Sequence, residues 1–316
     1  MAQINEVIVV GELNVDLILN RIAGFPEIGK EILAQDMTLT LGSSSAIFAS
    51  NLSSLGTRVA FVGMIGTDQF GDLILSSLKS KKVNTDYIIR RDDLNTGATI
   101  VLNFEQDRAM ITHAGAMEQL SLRDIDENIF KHAKHLHFSS FFLQPGIRPD
   151  VEEMFRKAKS SGLTTSLDIQ WDPEEKWQFD YRKILPYVDV FLPNETELLM
   201  LTRAGDLDAA LARISKYVRI AAVKLGSRGS VVMENGRKNH IPAFLNEQVV
   251  DAIGAGDSFN AGFIYQLVRN KPVAECQRFA NLTGAVSTTA AGGTTAFRDY
   301  AGVMEIARKK FGYTGG

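Results

Sequence analysis

Short apolar runs rich in Val and Ile recur along the chain, at residues 7–10, 59–62, 98–102, 136–138, 165–167, 188–192, 221–225 and 231–233. Between many of them lie longer segments with helical spacing. Phe70, Leu73, Ile74 and Leu78 share one helix face, and so do Leu207, Leu211, Ile214 and Val218 behind Asp206 as N-cap. Phe259, Phe263, Ile264, Leu267 and Val268 make a third such face, which stops before Pro272. Strands alternating with helices imply an α/β fold whose mostly parallel sheet is covered on both faces. Ligands of such a sheet bind at the C-terminal ends of its strands.

Two stretches break this rhythm. Residues 16–40 contain Gly24, Pro26 and Gly29, then alternate Met37 and Leu39 with Thr38 and Thr40 on the way to Leu41. Residues 97–113 set Ile100 and Leu102 against Thr99 and Asn103. This is the pattern of half-buried antiparallel strands rather than of a crossover helix. It predicts a small accessory sheet, inserted at about residues 12–43 and 97–115 into a single α/β domain spanning the chain.

Composition excludes several classes of protein. The 316 residues carry 34 basic and 37 acidic side chains, a net charge of −3, and 45% are hydrophobic. A chain this long buries roughly three quarters of its unfolded surface, so no disulfide or structural metal is needed. One cysteine, Cys276, excludes a disulfide framework and a Cys-based zinc site within the chain. A pI near 6 argues against nucleic acid as a partner. Residues 1–11 lack the basic-then-apolar pattern of a signal peptide, and no run approaches the ~18 apolar residues of a membrane span. The expectation is a soluble, cytoplasmic protein with no membrane partner.

Three segments can carry chemistry. Asp251-Ala252-Ile253-Gly254-Ala255-Gly256-Asp257-Ser258-Phe259 places small residues just before an amphipathic helix. Small residues let the backbone approach a ligand, and the free N–H groups of a first helical turn bind anions. Asp257 is placed to take a proton from a hydroxyl that attacks a phosphoryl group, or it is an ordinary N-cap. Asn194-Glu195-Thr196-Glu197 follows an apolar run; its carboxylates can hold Mg²⁺, usually through water, or it is a capping box. Lys224-Leu225-Gly226-Ser227-Arg228-Gly229 reads equally as a phosphate loop and as a plain hairpin. His132, His135 and His137 cluster without a carboxylate to complete a ligand set, and Lys79, Lys81 and Lys82 read as a solvated helix end. Gly11 lacks the Gly-x-Gly-x-x-Gly spacing of a dinucleotide fold, which disfavours an oxidoreductase.

At these residues the chain resembles the PfkB carbohydrate kinases, and within them the ribokinase group, over nearly its whole length. Residues 251–259 are similar to that family's C-terminal signature, Asn194 to Glu197 to its N-x-x-E motif, and Lys224 to Gly229 to its nucleotide loop. Gly63, Gly66, Asp68 and Gly71 are similar to its G-x-x-G-x-D-x-x-G segment, Phe25-Pro26 with Gly29 to its lid, and Lys271-Pro272 with Arg278-Phe279-Ala280-Asn281 continue the pattern. The resemblance implies a three-layer α/β/α sandwich with a mostly parallel central sheet and a small β-sheet lid. It implies Asp257 as catalytic base and the amides of Gly254, Ala255 and Gly256 as anion hole. Asn194 and Glu197 would organise Mg²⁺ and phosphate; Lys224, Gly226, Ser227, Arg228, Gly229 and Asn281 would line the ATP site. Asp251 with the backbones of Ile253, Ala290 and Gly292 would form a monovalent-cation (K⁺) site. Asn14, Asp16, Gly42, Ser43, Ser44, Ile47 and Phe104 would face the acceptor, and two lids would clasp into a homodimer.

The family's Gly-Gly-x-x-x-Asn reads Gly42-Ser43-Ser44-Ser45-Ala46-Ile47 here, and the acid that ribokinases place after residues 136–138 is replaced by Ser139-Ser140-Phe141-Phe142. The phosphate half of the site is kept and the acceptor half is rebuilt. The expected activity is ATP-dependent phosphorylation of a primary alcohol on a sugar or sugar-like compound. A nucleoside kinase, with Ile47, Phe104, Phe141 and Phe142 facing a base, and a non-catalytic sensor are the alternatives.

Overall fold

The computed structural model describes residues 5–104 and 107–315. In chain order, β1 (Val7–Val10), β2 (Asn14–Asn20), β3 (Asp36–Leu41), α1 (Ser44–Ser54), β4 (Val59–Gly66), α2 (Gln69–Ser80) and β5 (Asn84–Arg91) come first. Next are β6 (Gly97–Phe104), β7 (Asp107–His113), β8 (His135–Ser139), α3 (Val151–Ser160), β9 (Thr164–Asp168), α4 (Tyr181–Ile184) and β10 (Val190–Phe191). The last part holds α5 (Glu195–Thr202), α6 (Leu207–Ile214), β11 (Ile220–Lys224), β12 (Ser230–Glu234), β13 (Arg237–Ile241), α7 (Ala255–Leu267), α8 (Val273–Ser287) and α9 (Tyr300–Phe311).

A nine-stranded sheet runs in the order β13-β12-β11-β10-β9-β8-β1-β4-β5. It is parallel from β5 to β11, and β12 and β13 add an antiparallel edge. Side chains alternate between its faces: Ile8 and Val10 join a core with α3, α5 and α6, while Val7 and Val9 join one with α1, α2 and α7. Both faces are therefore dry, which is why the sequence runs are continuously apolar. Helices cover both sides of the sheet as the sequence predicts. The helix after Asp206 is shorter than the apolar spacing suggests, because it ends at Ile214 and Val218 lies beyond it; the N-cap is as expected, Asp206 accepting from Ala209 N at 2.7 Å.

A separate four-stranded sheet, β3-β2-β6-β7, holds both irregular stretches. It corrects one expectation, since β2 and β6 pair parallel, Asp16 opposite Thr99. The reason is topological: β2 leaves β1 and β6 leaves β5, parallel members of the large sheet, so both emerge in the same direction. Register gives its two faces different chemistry. Asp16, Thr40, Thr99 and Thr112 form a polar row on one face, and Leu17, Leu39, Ile100 and Ile111 an apolar row on the other. Ile111 is 65% exposed.

Two minor expectations also change. Lys81 is not a solvated helix end, because it is half-buried and its Nζ donates to the carbonyls of Phe297 at 2.5 Å and Thr294 at 3.2 Å. Phe141 and Phe142 face no open site: both are buried in an aromatic cluster with Phe179 and Trp177.

Candidate active site

The start of α7 forms one wall. Gly254 caps the helix with φ +72°, and a Cβ there would meet Gly293 Cα at 2.7 Å, so both conformation and space require glycine. Asp257 lies in the first turn, buried, and is not the cap; the N-cap alternative is thereby excluded. The Ala255 amide donates to Ala252 O at 3.3 Å. Among the described residues the amides of Gly254, Gly256 and Asp257 have no acceptor, so the donors open to an anion include that of Asp257 rather than that of Ala255. Burial, and then the nearby Asp168, push the Asp257 carboxyl up to about 8. Lys224, Glu12 and the Ser44 hydroxyl also act on it.

The facing wall is built from strand ends. Asp168, last in β9, is fully buried, and its Oδ2 accepts from Lys224 Nζ and from Asn260 Nδ2, each at 2.6 Å. Burial works against the Lys224 charge, but Asp168 and then Glu197 outweigh it and raise its pKa. Gln170 Nε2 joins Asp168 Oδ2, at 3.0 Å, to Asp257 Oδ1, at 3.2 Å. β10 is only two residues long, so Asn194, just after it, bridges to Lys224. Asn194 and Glu197 form a reciprocal capping box: Glu197 N donates to Asn194 Oδ1, and Glu197 accepts from Asn194 N and Nδ2, at 2.8, 2.8 and 2.6 Å. Burial, then Asp168, push the Glu197 carboxyl to about 7.

The acceptor side rests on the polar row of the small sheet. Asn14 Nδ2 donates to Asp16 Oδ1 and to Thr99 Oγ1, both at 3.0 Å. Gly42 backs this pair so closely that a Cβ would meet Asp16 Oδ1 at 2.2 Å. Burial pushes the Asp16 carboxyl to about 6, with Glu12 and Asp251 adding repulsion. Ser43 is the α1 N-cap, accepting from Ala46 N at 2.9 Å and donating to Glu12 O at 2.7 Å. Ile47 does not open onto the site: 3% exposed, it packs on the backbone of Gly254 and Gly293.

The remaining predicted residues fall on the periphery. Asp251 accepts from Ile253 N and from Gly292 N, each at 2.9 Å, tying the loop before α7 to the turn after α8 near Ala290. Asn281 donates to the carbonyls of Ile241 and Pro242, at 3.0 and 3.2 Å. Gly226 to Arg228 form one helical turn of a β11–β12 hairpin, with Ser227 exposed and Arg228 on Glu195. Gly229, φ +90°, abuts Ile241 O. Phe104 pairs with Phe25, ring centres 6.0 Å apart. His135 and His137 are buried on Thr164 and Ser166, and burial holds His135 down at about 3.

The sequence reading missed Glu12, Asp168, Gln170 and Asn260. Glu12 is buried with a raised pKa, burial being the main cause, and it accepts from Ser43 Oγ, Ser45 N and Ser45 Oγ. Ser45 reaches Ser139 at 2.6 Å, so Glu12 is linked through Ser45 to the end of β8. For Asp168 a signal existed, a carboxylate at the C-terminal end of an apolar strand.

The pattern of the pfkB family carbohydrate kinases matches residues 4–299. An uncharacterized sugar kinase of Archaeoglobus fulgidus is 31% identical over 234 residues, 74% of this chain and 92% of that protein. A ribokinase of Haemophilus influenzae is 27% identical over 293 residues, 90% of this chain and 92% of that one. The structure of Arabidopsis thaliana ribokinase complexed with ribose and ATP superposes with a TM-score of 0.83 at 26% identity, covering 96% of this chain and 99% of the other.

Proposed function

The chain belongs to the pfkB family of carbohydrate kinases, and on that premise we propose that it transfers the γ-phosphoryl group of ATP to the hydroxymethyl group of a sugar or sugar-like acceptor. The observation that carries this reading is the buried Asp257 in the first turn of α7, beside amides without acceptors and across from the Lys224–Asp168 pair. The acceptor hydroxyl gives its proton to Asp257 as its oxygen attacks the phosphorus. The amides of Gly254, Gly256 and Asp257 meet charge developing on the transferred group, and Lys224, whose Nζ lies beside Gly256, adds to that field. The lid is the small sheet, and its row Asp16, Thr40, Thr99 and Thr112 supplies partners for acceptor hydroxyls.

Both Glu197 oxygens are engaged by Asn194, which fits a Mg²⁺ held through water rather than directly. Bound there, the ion would neutralise phosphate charge. Asp251 and the carbonyls of Ile253, Ala290 and Gly292 are the matching proposal for K⁺. ATP would lie along the turn of Gly226, Ser227, Arg228 and Gly229 toward Asn281. A small-molecule acceptor and ATP fit the expectation of a cytoplasmic enzyme. The exposed apolar row of Leu39, Ile100 and Ile111 supports a homodimer through the lid, because an uncovered apolar sheet face is a standing association surface.

The test is a panel of sugars, sugar acids and nucleosides assayed for ATP-dependent phosphorylation, with the site of transfer read by NMR. Phosphate on a primary alcohol of a polyol supports the reading. Turnover confined to nucleosides, or ATP binding with no transfer to any acceptor, overturns it.

A further inference from the structure

Gln170 sits just past the end of β9 with φ +60°, in the left-handed region that a β-carbon disfavours. A residue is held there when its surroundings use it. Its backbone N–H donates to Asp168 Oδ1 at 3.3 Å, and its Nε2 donates to Asp168 Oδ2 and to Asp257 Oδ1. A flipped amide would set Oε1 against two carboxylates, acceptor against acceptor, so the orientation is fixed by its neighbours. Asp168 cannot yield either, since Lys224 and Asn260 hold the same Oδ2. Lys224, Asp168, Gln170 and Asp257 thus form one hydrogen-bonded chain from β11 through β9 to α7.

We infer that Gln170 is a positioning residue for the proton transfer, its amide holding one oxygen of Asp257 so that the other is presented to the acceptor hydroxyl. Glycine would sit at this backbone position without strain but has no amide to reach across. The inference rests on Asp257 being the base. The charged groups facing Asp257 are Asp168 from β9, Lys224 from β11 and Glu12 from the segment after β1. Gln170 donates more strongly to the ionised form than to the neutral acid, so it favours the ionised form against burial and Asp168.

Gln170→Leu, Gln170→Glu and Gln170→Gly, assayed with the best acceptor of the panel, test this. The Leu variant should lose about 10- to 100-fold in kcat, with KM for ATP within about twofold of native. The acid limb of its kcat–pH profile should move to higher pH, and further still in the Glu variant, which adds a carboxylate. The Gly variant relieves the backbone, so it should melt within a few degrees of native while turning over as slowly as the Leu variant. Native kcat in the Leu variant overturns the inference, and so does a loss that leaves the acid limb in place. Asp257→Asn separates the two readings. If it keeps near-native turnover, the base assignment falls and this inference with it; if it is inactive while Gln170→Leu is native, only the role of Gln170 falls.

Discussion

Asp257→Asn should make the protein slower and, at alkaline pH, more stable. The Asp257 carboxyl is raised from 3.8 to about 8, burial first and Asp168 second. The folded protein therefore keeps a proton that the unfolded chain releases. The cost of this group is absent below about pH 4, grows as pH rises and is complete above about pH 8. At full ionisation it amounts to on the order of 5 kcal/mol. Asparagine keeps the shape and gives up the charge, but it is still a buried polar group, so roughly half of that, ~2–3 kcal/mol, should be recovered. For 316 residues, each kcal/mol moves Tm by about 1.5 °C. The variant should melt roughly 3–5 °C above native near pH 9 and within about 1 °C of it near pH 5. Turnover should fall ~10²–10⁴-fold. Calorimetry across that pH range, with a coupled kinase assay on the same samples, reads both. An equal Tm difference at both pH values, or a less stable variant near pH 9, would falsify the buried-charge argument, and near-native turnover would remove Asp257 from the chemistry.

The other expectations are briefer. Lys224→Met leaves Asp168 buried with no cationic partner, so it should cost ~3–5 kcal/mol in denaturant unfolding as well as turnover; a variant of native stability would show that the pair is not a structural unit. Ile47→Asn puts an amide against the Gly254 and Gly293 backbone and should cost ~2–4 kcal/mol without any gain for ribose or fructose; improved relative kcat/KM for those sugars would mean that position 47 reads the acceptor. Leu39→Lys with Ile111→Lys should turn a homodimer into a monomer by light scattering at micromolar concentration, and a native protein that is already monomeric and active refutes the lid interface.

How much of this was legible in the sequence follows from which signals are local. The parallel sheet shows because strands dry on both faces must be continuously apolar, as in β1 and β4. The start of α7 shows because Gly254 and Gly256 beside a single acid form a short contiguous string. Parallel pairing of β2 with β6 does not show, because it depends on where β1 and β5 leave the large sheet. The chain from Lys224 to Asp257 joins residues 168, 170, 224 and 257, and no spacing rule connects them. Lys81 misled for a similar reason: its carbonyl partners, Thr294 and Phe297, lie far along the chain.

The position that departs from the family pattern is explained by packing. With Ile47 wedged on Gly254 and Gly293, the start of α1 is docked on the turn that opens α7 by apolar contact, while Glu12 holds it through Ser43 and Ser45. Of the Ser43-Ser44-Ser45 run, Ser43 is spent on the helix cap and Ser45 on Glu12 and Ser139. Ser44 is the member of the run whose hydroxyl acts on the Asp257 carboxyl. In the proposed reaction, acceptor hydroxyls would find their partners on the lid, at Asp16, Asn14 and the threonines beside them, rather than on α1. Asp16 would then make recognition pH-dependent, because burial raises its carboxyl to about 6 and the ionised form accepts hydrogen bonds fully through both oxygens.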